Sequence, residues 1–397
     1  DSEDKMIPQL SIQERDRRYQ LVRNEMAKRG IDVLLLPANT GRWEQLQGDS
    51  RYLTNIGGFA TEMFTVFPAQ GEVTSYVFNR ASWWQKAQNW VADVRDGRNR
   101  WSQNAIERIR ELGLDKGTIG ISGLAGLVRA PEGIIPYSSV KNIQEAFPQA
   151  KLVNATEMMQ EIRAIKSAEE VSMLERSAAI IEKAIDAMKQ TAKPGVSEKE
   201  VYATMLHAML SNGGELPTLF FLSAGPNLYN SSFVPTDYVI QNGDNLVGEI
   251  EAKYGGYAAQ AVSPAVVGKP NSDYQKIVEV SRVCFEAILA AKKPGVTFGA
   301  LFDIYTKTVE GAGPYSWNHP MMHARGLGDD GPALMGDKDL ERFAKIELKA
   351  GMTFILKPQV RPTQGKGRAS VGDTVTVTEK GARRLGKRDM KLVVIEC

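Results

Sequence analysis

Cysteine and histidine are both scarce in this chain: among 397 residues there are two cysteines and three histidines. Cys284 lies in an apolar helical pattern and Cys397 is the last residue, so the sequence offers no disulfide framework and a reducing cytoplasm is expected. No apolar stretch approaches the roughly 18 residues of a membrane span, so no membrane partner is expected. An excess of one charge is lacking too. The 49 Lys and Arg against 47 Asp and Glu leave +2, which gives no nucleic-acid footprint and directs attention to small molecules or proteins. The basic run Arg383-Arg384-Leu-Gly-Lys387-Arg388 reads as a solvated turn. The chain opens at Asp1 rather than Met, which leaves open a leader removed ahead of it.

What is present is ordinary globular composition, 43% hydrophobic and 24% charged, over a length that suits two domains. Ile12 to Arg29 is amphipathic, with Ser11 placed to cap it and Gly30 to end it. Ile31 to Pro37, Phe64 to Phe67, Val73 to Phe78 and Gly117 to Ser122 read as strands, and Trp83 to Val91 and Ala105 to Leu112 as helices. Such alternation predicts a small α/β domain over 1–155. A second domain, 156–397, follows, and the Ser167/Glu170 spacing is a capping box that opens a long helix in it. Inside this domain Lys193-Pro-Gly-Val196 before Ser197 recurs 100 residues later as Lys293-Pro-Gly-Val296 before Thr297. Each copy stops one helix and caps the next, which points to a duplicated α/β half.

Several segments carry further information: Arg51-Tyr-Leu-Thr-Asn-Ile-Gly-Gly-Phe59, Gly243-Asp-Asn-Leu-Val-Gly-Glu249-Ile-Glu251, Tyr254-Gly-Gly-Tyr257-Ala-Ala-Gln260, His319-Pro-Met-Met-His323-Ala-Arg325-Gly-Leu, Lys357-Pro358 and Val371-Gly372-Asp. In order and spacing they resemble the creatinase / aminopeptidase P / methionine aminopeptidase family. The resemblance implies a creatinase-type N-terminal α/β domain, then a pita-bread domain with pseudo-twofold symmetry, so an α/β (α+β) chain that forms a homodimer. It also implies two divalent metals held by two Asp, one His and two Glu. At those five positions this chain has Glu249, Gln260, His323, Lys357 and Gly372. The family's third motif histidine falls at Asp330, and its substrate-side histidine near Ser232. A charged lysine has donors and no lone pair, so it cannot ligate. Four carboxylates would balance two dications; here one carboxylate and one ammonium already sum to zero. Loss of the metal site is therefore expected, with no other cofactor.

The expected catalytic set is His319, His323, Glu249 and Lys357, with substrate contacts from Glu251, Gln260, Tyr257, Arg325, Asp330 and Ser232. Glu251 is an alternative carboxylate should the local register shift. Several of these have a plain structural reading beside them. Lys357 and Glu249 suit a salt bridge filling a dead site, and Arg325 suits a surface pair. Asp329-Asp330 suits a loop turn as well as an acid–base pair. His207 reads as structural, Trp83, Trp84, Trp90 and Trp101 as core or interface, and Arg42 and Trp43 as a loop that faces a neighbouring subunit's site. Two functions follow. One is a metal-independent hydrolase or lyase acting on a small, carboxylate-bearing compound with His as general acid/base. The other is an inactive binding module. A metallopeptidase with shifted ligands is a third reading.

Overall fold

The computed structural model describes residues 7–37, 48–58, 62–226, 234–319 and 321–397. Helix α1 (Ile12–Arg29) has the predicted ends: Ser11 accepts from the Glu14 amide at 3.1 Å, and Gly30 turns into the left-handed region at φ 63°. After it come β1 (Val33–Leu36), α2 (Gly48–Thr54), β2 (Met63–Pro68), β3 (Thr74–Val77) and α3 (Ala81–Ala87). β4 (Asp93–Asp96), α4 (Trp101–Glu111), β5 (Thr118–Ile121), α5 (Tyr137–Ala146), β6 (Lys151–Asn154) and α6 (Thr156–Ala164) complete this half. Its sheet runs β4-β3-β2-β1-β5-β6, mixed parallel and antiparallel, and buries Val33, Leu35, Val66, Ile119 and Ile121 against Ala105 and Ile109.

Two expected helices shift. α3 begins and ends earlier than the Trp83–Val91 pattern because the Gln88 side-chain oxygen takes the amides of Trp90 and Val91 at 2.7 and 2.8 Å and turns the chain. α4 begins at Trp101 rather than Ala105, its first turn packing Asn104 onto the Gly97 carbonyl.

By contacts the chain forms two compact units, one of Asp1–Arg163 with Leu327–Asp330, the other of Ala164–Gly326 with Gly331–Cys397. The second holds α7 (Ala168–Thr191), α8 (Glu198–Ser211), β7 (Phe221–Gly225), β8 (Asn245–Tyr254), β9 (Tyr257–Val262) and β10 (Ala265–Val267). Then come α9 (Ser272–Ala291), α10 (Phe298–Gly311), β11 (Tyr315–Asn318), β12 (Met322–Ala324), β13 (Ala333–Leu334) and α11 (Asp337–Phe343). β14 (Thr353–Leu356), β15 (Gln359–Pro362), β16 (Ala369–Ser370), β17 (Gly372–Val377), β18 (Ala382–Arg384) and β19 (Val393–Ile395) close it. The main sheet runs β13-β12-β14-β17-β9-β8-β10-β19, with β7 on β8 and β18 on β17.

The repeated tetrapeptide builds the same corner twice. α7 and α9 stop just before it, Gly195 and Gly295 take φ of 93° and 86°, and their amides bond Ile240 and Leu348 at 3.0 Å. Ser197 and Thr297 then cap α8 and α10 at 3.2 Å each, and each pairs with a short bridge, Val239 and Glu347. This is the pseudo-twofold α/β arrangement of a pita-bread domain. Ser167 opens α7 with the expected capping box. Among the described residues no helix is long and apolar enough to cross a membrane.

Candidate functional site

Sheet register gathers the central residues. β8 pairs with β9 so that Glu249 faces Val262 and Glu251 faces Gln260. β9 pairs with β17 through Val262 and Gly372, and β17 with β14 through Asp373 and Leu356. One residue further along that register, Lys357 faces Gly372. Lys357, Gly372, Val262 and Glu249 thus form one row across four strands, on one face of the sheet.

Gly372 contributes no side chain to this row, and Lys357 uses the space. A Cβ at 372 would lie 2.7 Å from the Lys357 Cβ, 3.0 Å from the Leu356 carbonyl and 3.2 Å from Val262. Over this gap the Lys357 Nζ reaches Glu249 Oε2 at 2.7 Å, while Gln260 Nε2 donates to the same oxygen at 2.5 Å. Burial works to raise the Glu249 pKa. The charge and hydrogen bond of Lys357, the field of His323 and the Gln260 donor outweigh it, and the carboxyl stays below its ordinary value. The Lys357 side chain is 2% exposed and that of Glu249 16%, so Glu249 is the member of the pair that reaches solvent. His323, in β12 beside β14, is fully buried, its Nδ1 3.4 Å from the Ala324 carbonyl.

The other expected residues lie in different company. His319, after β11, stacks on Phe302 with 5.9 Å between ring centroids and places Nε2 3.1 Å from Asp337 Oδ1. Glu251 and Arg325 pair with each other at 2.5 Å, both buried, and Glu251 also accepts the Thr218 and Leu219 amides at 2.6 and 3.2 Å. Arg325 further donates to the Ala258 carbonyl, so this is a buried brace rather than the surface pair the sequence suggested. Tyr257 donates to Glu170 at 3.0 Å, and its carbonyl accepts from Ser177, fastening β9 to α7. Asp330 belongs to the first unit, where Arg163 pairs with both Asp330 and Asp49 while Arg129 holds Asp329. Its Oδ2 also takes the Leu327 amide at 2.9 Å, which is a loop-turn role. Ser232, Arg42 and Trp43 lie outside the described residues. His207 is exposed on α8.

Two features were not foreseen. The run Arg383–Arg388 is not simply a solvated turn: Arg384 and Arg388 meet the buried Asp373 carboxylate at 2.8 and 3.4 Å, and Arg388 also donates to the Gly372 carbonyl. Lys292, at the end of α9, is fully buried with its ammonium nitrogen 3.2 Å from Met322 Sδ and 4.5 Å from the Phe354 ring centroid. Burial alone pulls its pKa from 10.5 down to about 7. The repeat held a signal for it, since Lys292 occupies the place of the buried Ala192 in the first copy. Burial likewise pushes the Cys284 thiol up to about 12, leaving it a small apolar group. Among the described residues no three His, Cys, Asp or Glu side chains are gathered so as to hold a metal ion.

Comparison with known proteins bears on this geometry. The model of "Metallopeptidase family M24" matches residues 172–379, and that of the "Creatinase/Prolidase N-terminal domain" matches residues 18–165. An Xaa-Pro dipeptidase of Pyrococcus furiosus is 28% identical over 263 residues, 66% of this chain and 74% of the relative. An agropine synthesis cyclase of Rhizobium rhizogenes is 27% identical over 296 residues, 69% of this chain and 72% of the relative. The solved Xaa-Pro dipeptidase of Bacillus anthracis superposes with a TM-score of 0.79 at 21% identity, covering 96% of this chain and 99% of that one.

Proposed function

Because this chain belongs to metallopeptidase family M24 and carries a creatinase-type N-terminal domain, we propose that it is a metal-independent member of that family. In this reading it is a hydrolase or lyase for a small, carboxylate-bearing compound. The observation that carries the proposal is the Lys357–Glu249 bridge with Gln260 on the same oxygen. The family implies divalent metals, and the residues at the corresponding positions do not fit them. An ammonium and a glycine offer no donor, an amide replaces a carboxylate, and the remaining carboxylate is engaged by the lysine.

The chemistry then falls to the cluster itself. Glu249, held ionised and partly exposed, stabilises positive charge that develops on a substrate. Lys357 supplies the charge complement of a carboxylate or an oxyanion in a water-poor setting. His323, whose field acts on Glu249, is the first candidate for general acid/base, and His319 is the second, with Asp337 to orient its ring. Relatives named as a dipeptidase and as a cyclase support a reaction class wider than peptide hydrolysis. A homodimer is part of the proposal and is checked by sedimentation.

Elemental analysis of protein purified without chelators tests the metal claim: the expected result is no stoichiometric divalent metal, and two tightly held ions per chain would overturn it. Turnover that survives His319→Asn with His323→Asn would sink the histidine mechanism. A second reading, a binding module without catalysis, draws on the burial of Lys357 and His323, 2% and 0% exposed. A substrate screen in which the wild type turns over any compound, and Lys357→Met does not, decides against it.

A further inference from the structure

We propose that Gly372 is the specificity-determining residue of this site: its missing side chain is the lane through which Lys357 reaches Glu249, and it commits the site to an internal cation rather than a bound one. This rests on the metal-independent reading. Lys357 stands on the β14 side of the row and Glu249 on β8, with β17 and β9 between them. An extended lysine spans that width only if it lies over the intervening strand. A side chain at 372 would occupy the path from its first atom, since its Cβ would sit 2.7 Å from the Lys357 Cβ. Both atoms are fixed by backbone, so rotation of a side chain does not relieve the contact; the strands would have to part.

The strands are held against parting. Asp373, next in β17, is buried and gripped by Arg384 and Arg388, and Arg388 takes the Gly372 carbonyl as well. Gly386 serves the same clamp, for a Cβ there would fall 2.6 Å from Asp373 Oδ2. On the same edge Thr374 exchanges hydrogen bonds with Gln260, whose amide and carbonyl it meets at 2.8 and 2.9 Å. On the opposite edge the β14 ladder and the Thr353–Thr376 hydroxyl contact at 3.1 Å hold β17 to the strand that leads to Lys357. β17 is therefore fixed on both sides at the closest approach of the row. Restoring carboxylates at 357 and 372 would not by itself rebuild a cation site, because the second side chain has no room on this backbone.

Gly372→Ala tests the claim in two settings, the wild type and a neutral background carrying Glu249→Gln with Lys357→Gly. The expected result is a larger fall in melting temperature in the wild type than in the background, because the background has no lysine Cβ to meet. Equal losses in both would overturn the proposal. If the wild-type substitution does not fold, a folded triple variant supports the lane, and a triple variant that fails while its parent folds overturns it. Titration of the Glu249 carboxyl by carbon-13 NMR gives a readout that general destabilisation does not move. Gly372→Ala is expected to lift its midpoint toward or above the ordinary range, and an unchanged midpoint would overturn the proposal. Wild-type metal content answers the earlier reading separately.

Discussion

Replacing Lys292 by Met makes the protein more stable at neutral pH, by an amount that shrinks as the pH rises. The ammonium has a thioether and an aromatic face for company, and burial alone moves its pKa from 10.5 to about 7. The unfolded chain binds this proton up to about pH 10.5, while the folded chain releases it above about pH 7. Below the folded value both states are charged and the whole cost of burying the ammonium is present. Between pH 7 and 10.5 the cost fades, and above it vanishes, so stability contributed by this site rises with pH. A drop from 10.5 to about 7 corresponds to at most about 5 kcal/mol. Methionine is of similar length, is unbranched, and suits the same apolar slot. Denaturant unfolding at pH 7, 8.5 and 10, with the slope in denaturant unchanged between variants, reads the difference. A Met variant that is less stable than wild type at pH 7, or that keeps the wild-type pH dependence, would refute the reasoning.

Other perturbations follow from the same contacts. Lys357→Met leaves the partly buried Glu249 carboxylate without its cation and costs about 1.5–3 kcal/mol at neutral pH, measured by denaturation. Because the folded Glu249 pKa is lowered, its stabilisation is present above the unfolded value and is lost as pH falls through the folded one; acid unfolding of wild type and Glu249→Gln should diverge there. Arg325→Ala strands Glu251, which is buried, and costs more, about 3–5 kcal/mol, visible as a lower melting temperature. Ser167→Ala removes one arm of a capping box and costs about 1 kcal/mol, with the loss confined to the amide-exchange protection around α7.

The parts of this fold that were legible are those written over short distances. α1 is bounded by Ser11 and Gly30, and Ser167 with Glu170 opens α7, because caps act within one turn. The repeated Lys-Pro-Gly-Val corner gave the duplication for the same reason. The row of Lys357, Gly372, Val262 and Glu249 is closed by the pairing of β9 with β17, 110 residues apart at Val262 and Gly372, so neighbouring residues do not announce it. Arg325 reads as a surface charge until the fold buries it against Glu251. Lys292 and Lys293 look alike on their own, and only the comparison with Ala192 and Lys193 in the first copy separates the buried one from its neighbour. The run at 383–388 failed for a related reason: a turn rich in arginine is solvated unless a buried carboxylate, here Asp373, lies beneath it.

The two corners also hold an internal comparison. Ala192 and Lys292 enter them at equivalent places, both fully buried, and the backbone beyond each takes the same path to the next cap. A duplicated architecture thus supplies its own reference residue, an alanine where the other half has the lysine. The corner itself has no need of the amine. The buried amine belongs to one half alone, so the two halves, alike in course, need not respond alike to acid.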